Sequence, residues 1–129
     1  MPPRRTRRHD ERVPLVLIVD DNAGFRANAR MLLESDGFDV AEAEDGAEGV
    51  ERVRELAPDF VLVDIVLPDI DGFEVSEQLS RLEPAPPVIL ISSRDGRDYR
   101  SLIAASSAQG FIQKSELTPD GIRALLPVA

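Results

Sequence analysis

The stretch Leu15-Val16-Leu17-Ile18-Val19 is apolar at every position and is closed by Asp20 and Asp21. A short run with no polar side chain suits a strand covered on both faces, as strands of a parallel sheet are. Two more runs of this kind follow: Phe60–Val63, closed by Asp64, and Val88–Ile91, closed by Ser92 and Ser93. Phe38–Glu42 and Gly110–Gln113 are mixed in character and fit the sheet edges, the second ending at Lys114.

Helical spacing fills the intervals. Phe25, Ala29, Leu32 and Leu33 share one face of a helix that Asp36-Gly37 ends. Asp45-Gly46-Ala47-Glu48 reads as a capping-box start, and Ala47, Val50, Val53 and Ala57 are the expected buried stripe before Pro58. Val75, Leu79 and Leu82 mark a third helix ahead of the Pro-rich loop Glu83–Pro87, and Tyr99, Leu102 and Ile103 a fourth. Thr118-Pro119 caps a short last helix through Leu126, with Ile122, Leu125 and Leu126 inward and Pro127 as terminator. Strands alternating with helices predict an α/β fold: a five-stranded parallel sheet, order 2-1-3-4-5, with helices on both faces.

At 129 residues, with 43% hydrophobic and 30% charged side chains, the chain is one ordinary globular domain. The absence of cysteine excludes disulfides, thiolate metal sites and cysteine nucleophiles. Residues 1–12 lack periodicity and read as a mobile basic arm, leaving 13–129 as the folded domain. The first 13 residues hold five arginines against Asp10 and Glu11, a net of +3. With −9 overall, the remainder therefore carries −12, which argues against a DNA-binding face on the folded part. No run is long and apolar enough for a membrane span or a signal peptide.

A parallel sheet gathers its strand C-termini on one rim, and ligands bind where the strand order reverses. That rim would collect Asp20, Asp21, Asp64, Ser92 and Lys114, the last being the sole lysine among 15 basic residues. Each has a plainer reading alone: the aspartates as helix-start or turn residues, the serine as a loop residue, the lysine as a solvated strand end. Together they call for more. Two carboxylates about 5 Å apart repel by roughly 3 kcal/mol at an effective dielectric near 20, and one lysine does not offset three such pairs. Either a carboxylate protonates or a divalent cation binds. Oxygen ligands suit Mg²⁺, or Mn²⁺ in its place. An aspartate beside such a cation can accept a phosphoryl group, with the hydroxyl and the ammonium as donors to its oxygens.

From about Leu15 to Leu126 the chain resembles the receiver domain of two-component response regulators. The resemblance rests on Leu17-Ile18-Val19-Asp20-Asp21-Asn22, on Val61-Leu62-Val63-Asp64-Ile65-Val66-Leu67-Pro68-Asp69-Ile70-Asp71-Gly72, on Pro87-Val88-Ile89-Leu90-Ile91-Ser92-Ser93 and on Gly110-Phe111-Ile112-Gln113-Lys114. It implies a flavodoxin-like, chemotaxis-receiver-like fold and a phosphorylation-dependent signalling role in the cytoplasm. Asp64 would be the phosphoacceptor. Asp20, Asp21 and the Val66 backbone carbonyl would hold Mg²⁺ together with Asp64, Asp20 through water. Ser92 would be the switch hydroxyl, Lys114 the phosphoryl partner and Phe111 the aromatic rotamer switch. A sensor histidine kinase or phosphotransfer protein would donate the phosphoryl group. A face built by helix four, strand five and helix five would control a downstream protein. The chain would catalyse only its own phosphorylation and dephosphorylation, with no direct DNA binding and no membrane contact, as a stand-alone receiver.

Several positions depart from the family pattern. Ser92 stands where Thr is commoner, Phe111 where Tyr is frequent, and Ser115 follows Lys114 where Pro is usual. A non-proline cis peptide at Lys114–Ser115 costs about 2.5–4 kcal/mol, which leaves that loop's conformation open. In this family the side chain two residues after the phosphorylated Asp governs access of hydrolytic water. Val66 cannot orient a water, and Arg94 can shield the phosphoryl group, so slow self-dephosphorylation is expected. Two rival readings are a receiver-like interaction module acting without phosphorylation, and a haloacid-dehalogenase-type phosphatase built on Asp69-Ile70-Asp71-Gly72. In the latter the first Asp should directly follow an apolar strand, and here Asp64 does so instead.

Overall fold

The computed structural model describes residues 13–127, so the basic arm expected at residues 1–12 lies outside the described residues. The strands are β1 Leu15–Val19, β2 Asp39–Ala43, β3 Phe60–Asp64, β4 Val88–Ser92 and β5 Gly110–Gln113. All pair in parallel in one sheet, order β2-β1-β3-β4-β5, as the sequence predicts. β1, β3 and β4 are buried at every residue, whereas β2 and β5 are mostly half-buried edges. The helices are α1 Ala23–Glu34, α2 Gly46–Leu56, α3 Gly72–Ser80, α4 Arg100–Ala105 and α5 Pro119–Leu125.

Strand alternation sends side chains to two cores, one on each face of the sheet. Leu17, Val19, Val61, Val63 and Leu90 meet Val50 and Val53 of α2 and Val75 and Leu79 of α3. Val16, Ile18, Leu62, Ile89 and Ile91 meet Ala29 and Leu33 of α1 and Ile122 of α5. Each fully buried aliphatic side chain here contributes about 1.5–3 kcal/mol. Among the described residues no helix is long and apolar enough to cross a membrane.

The inward face of α2 differs from expectation. Gly46, Gly49, Val50 and Val53 are buried, while Ala47 and Ala57 are exposed. Neither glycine has room for a side chain: a Cβ on Gly49 would sit 2.9 Å from Val19 Cγ2 of β1, and one on Gly46 2.8 Å from Val75 Cγ2 of α3. Reading alanine as the buried residue missed a face made of bare backbone. Ala57 instead ends the helix in the left-handed region, at φ 46°. On α1, Ala29 and Leu33 are buried as expected, but Leu32 is exposed. The fourth helix begins as a 3₁₀ turn, Gly96–Tyr99, and buries none of its own residues. Tyr99 and Ile103 pack against the core there, and Leu102 faces outward. A 3₁₀ turn over Lys114–Glu116 follows β5. The one cis peptide among the described residues is Glu83–Pro84, so the Lys114–Ser115 bond is trans.

Candidate functional site

β1 and β3 are neighbours, and both end in acid at the same rim. Asp20 is fully buried, Asp64 is 5% exposed, and Asp21, one residue past Asp20, faces solvent. Each offers a carboxylate oxygen, and these atoms all lie within 4.8 Å of one another. Local bonds fix the two buried carboxylates. The Asn22 amide donates to Asp20 Oδ1 at 2.8 Å, and the Val66 amide to Asp64 Oδ1 at 3.0 Å. The other oxygens face Lys114, whose Nζ is 2.7 Å from Asp20 Oδ2 and 3.0 Å from Asp64 Oδ2. The approach to Asp20 is an ion pair by distance but off-angle for a hydrogen bond, so this buried oxygen keeps unused acceptor capacity.

Burial pushes the Asp64 carboxyl upward. The Val66 amide and Lys114 oppose that push, the Asp20 charge reinforces it, and the result is above the ordinary value. Burial would lower Lys114, but its two carboxylate partners prevail and hold the ammonium charged. A crowd of oxygen donors with one cation and an under-used buried oxygen fits a hard divalent cation. The structure thus brings Asp20, Asp21, Asp64 and Lys114 together.

Val66 touches this centre through its amide, and Ser92 follows Ile91, the register partner of Asp64. Val66, 61% exposed, is the second residue of the β3–α3 loop. Ser92 is buried at the end of β4, and its Oγ accepts from the Arg94 amide at 3.1 Å. Phe111 on β5 is partly buried and packs against the core on that face of the sheet. The 3₁₀ turn after β4 closes over its ring, so that a Cβ on Gly96 would lie 3.1 Å from it.

Sequence reading missed three supports. Arg26 Nη1 donates to the Asp20 carbonyl at 2.6 Å while its Nε donates to Glu42 at 2.7 Å, tying α1 to β1 and β2. The Phe25 ring lies 4.7 Å from Lys114 Nζ and walls the ammonium in. Gly72 lets α3 start against β3: a Cβ there would lie 2.3 Å from the Asp64 carbonyl oxygen. Gly72 closes the quoted Asp69-Ile70-Asp71-Gly72 stretch, but nothing in that stretch marks it as a helix start pressed against β3. The pairing of Phe25 with Lys114, 89 residues apart, left no periodic signal. Asp69 is exposed in the β3–α3 loop and bonds to the start of α2 rather than directly following an apolar strand, so the phosphatase reading lacks its nucleophile.

A five-stranded parallel sheet with an acid-and-lysine centre on its C-terminal rim is the architecture of a receiver. The chain belongs to the response regulator receiver domain family, whose model matches residues 16–126. It is 34% identical over 100 residues to the chemotaxis protein CheY of Bacillus subtilis, covering 77% of this chain and 83% of that one. It is 34% identical over 86 residues to the transcriptional regulatory protein AfsQ1 of Streptomyces coelicolor, covering 67% of this chain and 38% of that one. The response regulator TrrA of Thermotoga maritima, solved in complex with Mg²⁺ and BeF, superposes with a TM-score of 0.79 at 26% identity, covering 88% of this chain and all of that one. The chain spans about half or less of the length of several curated relatives it matches. Some relatives are DNA-binding response regulators, so the expectation of no DNA contact finds no support in them.

Proposed function

We propose that this receiver is a phosphorylation-operated switch with Asp64 as its acceptor. The observation that carries the reading is the Asp64 carboxylate at the end of β3, with Lys114 Nζ at 3.0 Å and two further carboxylates within 4.8 Å. An Asp64 oxygen attacks the phosphorus of a phosphohistidine on a sensor histidine kinase or phosphotransfer protein. The P–N bond breaks, and the imidazole nitrogen keeps the electron pair and takes up a proton. Asp21, Asp64 and the Val66 carbonyl, with Asp20 through water, would hold Mg²⁺, which would supply positive charge for the transferring oxygens. Mn²⁺ can substitute. Lys114 shifts from carboxylate to phosphoryl oxygen as the group arrives.

Phosphorylation adds about 1.5–2 negative charges and three acceptor oxygens. The Ser92 hydroxyl then turns toward the new oxygens, which frees room beside β5, and Phe111 turns into it. The face formed by α4, β5 and α5 changes shape and controls a downstream protein. α4 suits such a change because it buries no residue of its own. The chain acts on itself and has no separate substrate, and its setting is the cytoplasm. The test is intact-mass measurement after acetyl phosphate and Mg²⁺, comparing the parent with Asp64→Asn. The parent gains one phosphoryl group and the variant gains none. A parent that stays unlabelled with a kinase donor as well would favour an interaction module working without phosphorylation.

A further inference from the structure

Asp69 belongs to the short acidic motif after Pro68, yet phosphoryl chemistry at Asp64 gives it no task. The structure gives it one. Its carboxylate accepts from the Gly46 amide through Oδ1 and from the Ala47 amide through Oδ2, both at 2.9 Å. These are the first two amides of α2, which has 11 residues, and Asp45 takes the next, from Glu48, at 2.8 Å. Asp69 therefore caps a helix start whose amides lie 23 and 22 residues away in sequence. Burial pulls its carboxyl upward, but the amide bonds outweigh that and hold it below the ordinary value.

An apolar contact backs the polar one. Ile70 packs where a side chain at Gly46 would stand: a Cβ there would lie 2.5 Å from Ile70 Cγ1 and 2.8 Å from Val75 Cγ2. The β3–α3 loop is thus held to α2 at Asp69 and Ile70, and to the site by the Val66 amide on Asp64 Oδ1. Only Leu67 and Pro68 separate the two anchorages.

We propose that Asp69 is a positioning residue for the cation site: by clamping the β3–α3 loop onto the start of α2, it fixes the backbone carbonyl that Val66 offers to Mg²⁺. This rests on the reading of the site given above. Asp69 touches neither the cation nor the phosphoryl group. Its effect on the metal is that of an outer residue holding a ligand in place, a type of contact whose loss typically lowers metal affinity about 10–100-fold.

The experiment measures Mg²⁺ affinity by calorimetry in the parent, Asp69→Asn, Asp69→Ala, Gly46→Ala and Glu51→Gln. Gly46→Ala forces the same joint apart without changing charge, and Glu51→Gln removes a charge from α2 without touching the joint. Asp69→Ala is expected to weaken Mg²⁺ roughly tenfold. Gly46→Ala should weaken it comparably and Asp69→Asn less, because Asn keeps one acceptor. Glu51→Gln should leave it within twofold of the parent. Amide hydrogen exchange at Gly46 and Ala47 speeds up in Asp69→Ala, and saturating Mg²⁺ returns its phosphorylation rate to that of the parent. Parent-like Mg²⁺ affinity in Asp69→Ala despite faster exchange overturns the proposal. So does an equal loss in Glu51→Gln, or a phosphorylation defect that persists at saturating Mg²⁺. If Gly46→Ala does not fold, the contrast between Asp69→Asn and Glu51→Gln still decides. A parent that binds no Mg²⁺ overturns the underlying reading of the site as well, an outcome visible before any variant is compared.

Discussion

Replacing Asp64 by Asn removes one charge from the rim but keeps its shape and the Oδ1 acceptor for the Val66 amide. The magnitude follows from distances. Each carboxylate pair lies within 4.8 Å, so at an effective dielectric near 20 Asp64 is repelled by Asp20 by about 3.5 kcal/mol or more. Repulsion from exposed Asp21 is smaller because solvent screens it. Against these stands attraction to Lys114 at 3.0 Å, about 5.5 kcal/mol on the same scale. The Coulomb terms nearly cancel, and desolvation of a buried carboxylate decides the sign, in agreement with the upward displacement of its pKa. Asp64→Asn is therefore expected to stabilise the metal-free protein by about 1–2 kcal/mol at pH 7, or roughly 4–8 °C in the unfolding midpoint.

The sign with pH is fixed. A carboxyl whose folded pKa lies above its ordinary 3.8 costs stability when ionised, and the cost fades as pH falls through the raised value, vanishing below about 4. Adding Mg²⁺ at 100 times its dissociation constant stabilises the parent by about 2.7 kcal/mol, whereas the variant, short of one ligand, gains much less. The order of the two midpoints should reverse with Mg²⁺. Thermal unfolding by circular dichroism at pH 7 and pH 4.5, with and without Mg²⁺, reads all of this. A metal-free variant less stable than the parent at pH 7 would refute the claim that desolvation of the ionised Asp64 carboxylate destabilises the rim.

Lys114→Met leaves two buried carboxylates without their counter-ion and should cost about 3–5 kcal/mol in the metal-free protein at pH 7, partly regained in acid. In the parent the raised Lys114 pKa contributes stability that is full below 10.5 and is lost as pH rises from there through its folded value, so denaturant titrations above pH 10 should show a decline that Lys114→Met lacks. Gly72→Ala drives a Cβ into the Asp64 carbonyl and the Ile65 Cα, both backbone, and should lower stability by about 3 kcal/mol; an unchanged unfolding midpoint would contradict the close approach. Slow loss of the phosphoryl group is expected with Val66 at the site mouth, and Val66→Asn should hasten it. A phosphoryl half-life of seconds in the parent, unchanged in Val66→Asn, would remove that reading.

The sheet was legible because three apolar runs and two mixed ones carry both the strand order and the rim residues at their ends. Asp20, Asp21, Asp64, Ser92 and Lys114 could be read from that rule alone. The inward face of α2 was not, since close packing there uses Gly46 and Gly49, and hydrophobic periodicity gives glycine no weight. Phe25 was legible as a helix-face residue but not as a wall for Lys114, because a ring beside an ammonium is set by the crossing of distant elements. Asp69 was visible as part of a motif, yet its task depends on the start of α2 coming alongside the β3–α3 loop, and spacing does not encode that.

The most direct test is a crystal structure grown with Mn²⁺ in place of Mg²⁺, with the ion located by its anomalous scattering. The account predicts one ion about 2.0–2.2 Å from oxygens of Asp21, Asp64 and the Val66 carbonyl, with a water between it and Asp20. An ion bound elsewhere, or Lys114 filling the space among the three carboxylates with no ion at saturating Mn²⁺, would contradict it.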